Sequence, residues 1–130
     1  MTSDNTNTNT ATTTKDTPPL AAYLVCSSFM PEGHGSIIPY GEAAHPLLEK
    51  YQGELLVAGE TEQVIDLLEG KWLMEKDARF TLFKFPSMEH LKGFWHSDEY
   101  QAIKHLRINN TAPNFTFAVS AVDVSKWQPV

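Results

Sequence analysis

The stretch RFTLFKF, Arg79 to Phe85, followed at once by Pro86 and Ser87, decides how the rest of the chain is read. Thr81, Phe83 and Phe85 alternate with Phe80, Leu82 and Lys84, the two-residue period of a pleated strand. Pro86 has no amide hydrogen with which to continue a ladder. Ser87 offers its hydroxyl to the first amides of a helix that carries Leu91, Phe94 and Trp95. Ser97 is a second start signal, because Asp98 and Glu99 place two carboxylates at the positive end of the helix it opens. That helix sets Tyr100, Ile103, Leu106 and Arg107 along one side. Residues 114–122 (NFTFAVSAV) read as a closing strand, with Phe115, Phe117 and Val119 against Thr116, Ala118 and Ser120.

The same strand–helix–strand order precedes it. Residues 21–29 form an apolar run predicted as a strand, with Ala22, Leu24 and Cys26 on one side and Tyr23, Val25 and Phe29 on the other. Met30 to Gly35 contain a proline and two glycines and predict a loop. Ser36 is placed to cap a helix reaching about Tyr51, whose stripe is Ile37, Tyr40, Ala44, Leu47, Leu48 and Tyr51. Pro39 fits the first turn, Pro46 removes an interior backbone bond, and Gly53 is expected to end the helix in a left-handed conformation. Residues 54–59 (ELLVAG) predict a short strand, and residues 61–72 fit either a helical turn or another strand. The sum is β-α-β-β-α-β, an α+β fold with a four-stranded antiparallel sheet and helices on one face. Since strand residues on both faces are apolar, the face without helices is expected to meet a second copy, giving a homodimer.

Residues 1–19, mostly Thr, Asn, Ser and Asp and closed by Pro18-Pro19, cannot bury enough apolar surface to order and are expected to be a disordered tail. Residues 20–130 make one domain. Sixteen acidic against ten basic residues give a net charge of −6, which with no basic cluster speaks against nucleic-acid binding. A single cysteine, Cys26, excludes an internal disulfide and reads as a buried, inert thiol. No apolar run approaches a membrane span, and no basic-then-apolar leader opens the chain, so a soluble cytoplasmic protein is the default expectation.

From Ala22 to about Val122 the sequence resembles the domain-of-unknown-function family numbered thirteen-thirty, within the dimeric α+β barrel superfamily. The resemblance is carried by the opening AYLV strand, Tyr40, Ala43-Ala44-x-Pro46, Tyr51-x-Gly53, Leu68-Glu69-Gly70 and Arg79. Phe85-Pro86-Ser87, the block Phe94-x-x-Ser97-x-Glu99-Tyr100-Gln101, and Arg107 complete it. Two positions depart from the family pattern: its usual Gly-Gly after the first helix is Gln52-Gly53 here, and its usual acidic residue before Phe-Pro-Ser is Lys84. The resemblance implies a ferredoxin-like fold whose sheets pair into a barrel. It implies no activity, since the superfamily spans cofactor-free monooxygenases, haem-degrading enzymes, dehydratases, isomerases and ligand sensors.

In such folds a cleft lies between the sheet and its helices, and Tyr40, His45, Arg79, Trp95, Ser97, Glu99, Tyr100 and Arg107 are the side chains best placed to line it. Arg107 and Arg79 are suited to clamping a carboxylate, or else to ion pairs with Glu99 or Glu69. His45, or Tyr40, is the candidate for acid–base chemistry, and an exposed or core histidine is the alternative for His45. His34, between two glycines, is a second candidate histidine. Ser97 and Glu99 already have roles as helix-start residues, and Tyr40, Trp95 and Tyr100 form either an aromatic wall or ordinary core. Five scattered histidines form no metal pair, and there is no phosphate loop or nucleophile elbow, so neither metal nor cofactor is expected. The leading expectation is a dimeric barrel that binds a small carboxylate- or carbonyl-bearing compound, with turnover by cofactor-free acid–base chemistry through His45 or Tyr40 and an arginine left open. A carrier or sensor, a purely structural dimer and a haem-handling monooxygenase are the alternatives.

Overall fold

The computed structural model describes residues 20–126; the expected tail at residues 1–19 lies outside them. The elements run β1 (Ala22–Phe29), α1 (Ile38–Lys50), β2 (Glu54–Val57), β3 (Ala78–Phe85), α2 (Met88–Trp95), α3 (Asp98–Ile103), α4 (His105–Ile108) and β4 (Ala112–Ser120), then a 3-10 turn at Val124–Lys126. The sheet is antiparallel with order β2-β3-β1-β4, the ferredoxin-like arrangement. No helix among the described residues is long and apolar enough to cross a membrane.

Register fixes the faces. Leu24 pairs with Phe83 and Ala118, and Cys26 with Thr81 and Thr116; this is the face the helices cover. Its core is Ala22, Leu24, Phe85, Leu91, Phe94 and Tyr100, with Leu47, Leu48 and Tyr51 of α1 packed against it. Ser87 caps α2, accepting the His90 amide at 3.1 Å, and Ser97 caps α3. Pro113 is tolerated because β4 is an edge strand.

Several details differ from the sequence reading. The first helix starts at Ile38, and Ser36 accepts the Ile38 amide at 3.1 Å from outside it. The left-handed residue after α1 is Gln52, with φ 62°, and not Gly53. The family pattern has glycine at both positions, so the departure at Gln52 puts a residue with a Cβ in the left-handed conformation. Gly53 is required for space instead: a Cβ there would lie 2.8 Å from the Phe85 ring. Residues 61–72 form neither helix nor strand. The connection from β2 to β3 that contains it is held as a loop by two amide side chains, each bonding both polar groups of one backbone residue. Gln63 bonds the Phe80 N–H and C=O at 2.8 Å each, and Asn114 bonds those of Met74 at 2.7 and 3.1 Å. Asn114 is free to do so because it bulges out of β4 between residues paired to Ser27 and Ser28.

The other sheet face carries Tyr23, Val25, Leu82, Phe117 and Val119, with Phe117 49% exposed. The loop covers one end of it: Trp72 stacks on Phe115 at 5.4 Å, and Ser27 beneath is only 1% exposed.

Candidate ligand cavity

Between the sheet and α1 lies a cavity of about 280 Å³. Leu24, Cys26 and Ser28 of β1 form its floor with Arg79, Thr81 and Phe83 of β3, because antiparallel register stacks these alternate residues in rows. Tyr40, Ala44, His45 and Leu48 recur at helical spacing and turn one face of α1 onto it. Trp95, Tyr100 and Arg107 close the wall.

Ser97 places Tyr100. Its hydroxyl accepts the Tyr100 amide at 3.0 Å and donates to the Phe94 carbonyl at 2.8 Å, so the turn between α2 and α3 aims the phenol inward. Glu99 faces outward to Lys50 at 2.9 Å, tying α3 to α1. The carbonyl of Arg107 in turn accepts the Thr111 amide at 2.9 Å and the Thr111 hydroxyl at 3.0 Å, which fixes its backbone.

Inside the cavity three side chains form a row. Arg107 Nη2 donates to Tyr100 Oη at 3.4 Å, and Tyr100 Oη shares a proton with Tyr40 Oη at 2.9 Å. The guanidinium carbon lies 5.8 Å from the ring centres of both Tyr40 and Trp95, an arrangement in which the ring faces hold the cation. Burial, with the neighbouring Tyr100 adding to it, holds the Tyr40 hydroxyl far above the ordinary phenol range, so Tyr40 is a proton donor. Burial removes the Arg107 guanidinium from water, but the phenols beside it more than compensate and the net effect favours the cation. Burial likewise pushes the Cys26 thiol up to about 11, although the Arg107 charge and a Thr116 hydrogen bond pull it down.

Six of the eight residues expected at the cleft line this cavity: Tyr40, His45, Arg79, Trp95, Tyr100 and Arg107. His45 sits at the rim, with 73% of its side chain exposed and 3.7 Å from Glu49. Ser97 and Glu99 do not line it; they hold the elements that do. The alternative of an Arg107–Glu99 ion pair is not formed, since Glu99 binds Lys50. His34 lies outside, bonded to the Gly35 carbonyl at 2.8 Å. The polar floor of Ser28, Thr81 and Thr116 went unrecognised in the sequence, where only its strand alternation was visible. Among the described residues no group of three or more His, Cys, Asp or Glu side chains could hold a metal ion.

The fold is similar to that of a protein of unknown function from Rhodopseudomonas palustris, a structural genomics target. Its crystal structure matches with a TM-score of 0.53 at 14% identity, over 84% of this chain and 87% of that one. At that identity the likeness speaks for the fold alone. No curated protein matches the sequence. A family model, in contrast, matches across residues 21–121, and the chain belongs to the family described as Domain of unknown function (DUF1330).

Proposed function

We propose that this protein binds a small organic carboxylate in the cavity between its sheet and α1, and that it does so as a homodimer. The sign of the charge carries the reading. The chain has a net charge of −6, yet the cavity is lined by Arg79, Arg107 and His45 with no aspartate or glutamate among its described lining residues. A guanidinium in a half-buried site without a carboxylate has donors to spare, and a planar anion satisfies them in pairs. The remaining wall, with Leu24, Phe83, Phe94 and Trp95, suits a hydrocarbon or aryl remainder. A purely structural dimer whose barrel is filled by its own side chains is disfavoured by the cavity itself.

Turnover has one available base. Cys26 and Tyr40 are both held protonated, leaving the imidazole of His45, at the rim, as the lining side chain with a ring nitrogen that can take a proton. Acid–base catalysis would therefore use His45 as base and Tyr40 as donor. Retention without turnover, as in a carrier or sensor, is favoured by the engagement of His45 with Glu49 at the surface. Dimerisation is supported by the sheet face that carries Tyr23, Val25, Leu82, Phe117 and Val119, and by the indole N–H of Trp72, buried beside it without an acceptor.

Native mass spectrometry of freshly purified protein tests both halves together. The expected spectrum is a dimer that carries, or takes up from an added carboxylate panel, one small anion per chain, and Arg107→Gln abolishes the uptake. Single chains at micromolar concentration would remove the dimer; uptake indifferent to Arg107→Gln would remove the anion site.

A further inference from the structure

We propose that the ligand is a long-tailed carboxylate whose head sits on Arg107 and whose hydrocarbon tail runs beneath Trp95 into a second hollow, between α2 and β4. This rests on the reading of the cavity as an anion site and adds the shape of the anion.

The second hollow measures about 200 Å³, and its apolar walls are Leu24, Leu91, Trp95, Phe117 and Ala118. It exists because the helical layer stops short of the edge strand. Leu24 and Leu91 are 5% and 2% exposed, whereas Ala118, paired with Leu24 and so on the same sheet face, is exposed. Leu24, Thr116 and Trp95 line this hollow and the main cavity alike. The two spaces therefore share a floor on the sheet, Leu24 and Thr116, and the helix-side residue common to both is Trp95.

Trp95 is held by ring faces and cations. Its ring centre lies 5.2 Å from that of Tyr100, with Lys104 Nζ at 5.2 Å and the Arg107 guanidinium carbon at 5.8 Å. Among the described residues no hydrogen bond fixes its indole nitrogen, so the ring can tilt off the shared floor without breaking a directional bond.

Arg107 sets the direction of the tail. A carboxylate on its guanidinium has its first carbons beside the indole. Toward Tyr40 stand two phenol hydroxyls, whose water a hydrocarbon would displace without replacing. Beyond Trp95 the surface is Leu91, Phe117 and Ala118, where a tail leaves water at no such cost. Neither space has an aspartate or glutamate among its described lining residues, so nothing along the path repels the head group.

Calorimetric titration of the full-length protein with hexanoate and dodecanoate, the latter below its micelle-forming concentration, tests this. Each methylene taken out of water strengthens binding about fourfold, so burial of half the additional tail makes dodecanoate about fiftyfold tighter. Ala118 lines the second hollow and not the main cavity, so Ala118→Trp should plug the path. It should leave hexanoate unchanged and weaken dodecanoate about tenfold or more, and Ala118→Leu should do the same to a smaller extent. Arg107→Gln should weaken both acids about tenfold or more. Circular dichroism and thermal melts establish that the variants fold. If dodecanoate binds no tighter than hexanoate, or its advantage survives both substitutions at Ala118, the path beneath Trp95 is overturned, and the anion reading stands as long as Arg107→Gln weakens hexanoate. If neither acid binds, or Arg107→Gln changes nothing, both are overturned.

Discussion

Replacing Gly53 by alanine tests where the turn after α1 makes its demand. Gly53 is outside the left-handed region, so alanine adds no backbone strain there. Its methyl carbon would lie 2.8 and 2.9 Å from the Phe85 ring and 2.9 Å from a Leu48 methyl. Carbon atoms sit comfortably at about 3.5–4.0 Å, so both neighbours would have to retreat by about 0.6 Å or more. Phe85 is 0% exposed and packs on Phe94 at a centroid distance of 5.6 Å, which leaves it nowhere to go. Overpacking of this kind costs about 1–3 kcal/mol, and two clashing groups from separate elements put the cost in the upper half of that range. A stiffer unfolded chain returns about 0.4–1 kcal/mol. The net expectation is a loss of about 1.5–2 kcal/mol, close to 10 °C in Tm for a domain of this size.

Gln52→Gly should have the opposite sign. The left-handed conformation costs a residue with a Cβ about 1–2 kcal/mol, whereas the extra freedom of glycine costs about 0.5–1 kcal/mol, so a gain of about 0.5–1 kcal/mol follows. Urea unfolding followed by tryptophan fluorescence measures both variants on one scale. A Gly53→Ala protein as stable as wild type, or a Gln52→Gly protein less stable, would refute the assignment of strain to 52 and crowding to 53.

Two further perturbations bear on the cavity. The Cys26 thiol, pushed up to about 11 by burial, is stabilised as the neutral thiol. Its reaction with a thiol reagent should be slow at neutral pH and climb about tenfold per pH unit, and a rate levelling off below about pH 9 would contradict the placement. Since the folded state raises this pKa from 9.0, the same group weakens the fold as pH rises from about 9 through 11. Ser97→Ala should cost about 1–2 kcal/mol of stability in urea titration by leaving the Tyr100 amide uncapped, and Ser97→Thr should restore most of it.

The order of elements was legible because the strands alternate and two serines announce two helices. Register was not. That Cys26 stands between Thr81 and Thr116 follows from pairings between residues far apart in sequence, and no local pattern encodes it. Residues 61–72 left a choice between helical turn and strand for a related reason: Val64, Ile65 and Leu68 look apolar enough for either but are exposed, and the bonds of Gln63 to the Phe80 backbone are again between residues distant in sequence. Six cavity residues were legible because an amphipathic side chain on the inner side of an element has few places to point. Ser97 and Glu99 were read both as helix-start residues and as cleft residues, because a polar residue at a helix start fits both patterns; the cap of Ser97 on Tyr100 and the Glu99–Lys50 contact place them outside the cavity lining.

A structural arginine could also be held between two aromatic rings, so the distinction for Arg107 lies in its donors. Its guanidinium has five N–H groups. An arginine used as glue has most of them bonded to carboxylates or carbonyls, and its surroundings are packed. Here the hydrogen bond to Tyr100 is long, no carboxylate lies within bonding distance among the described residues, and the open side is a cavity. The rings of Tyr40 and Trp95 fix the cation in place without consuming its edge, which is what a preorganised anion site requires. A cation kept half out of water in this way gains most from a ligand that brings the missing charge.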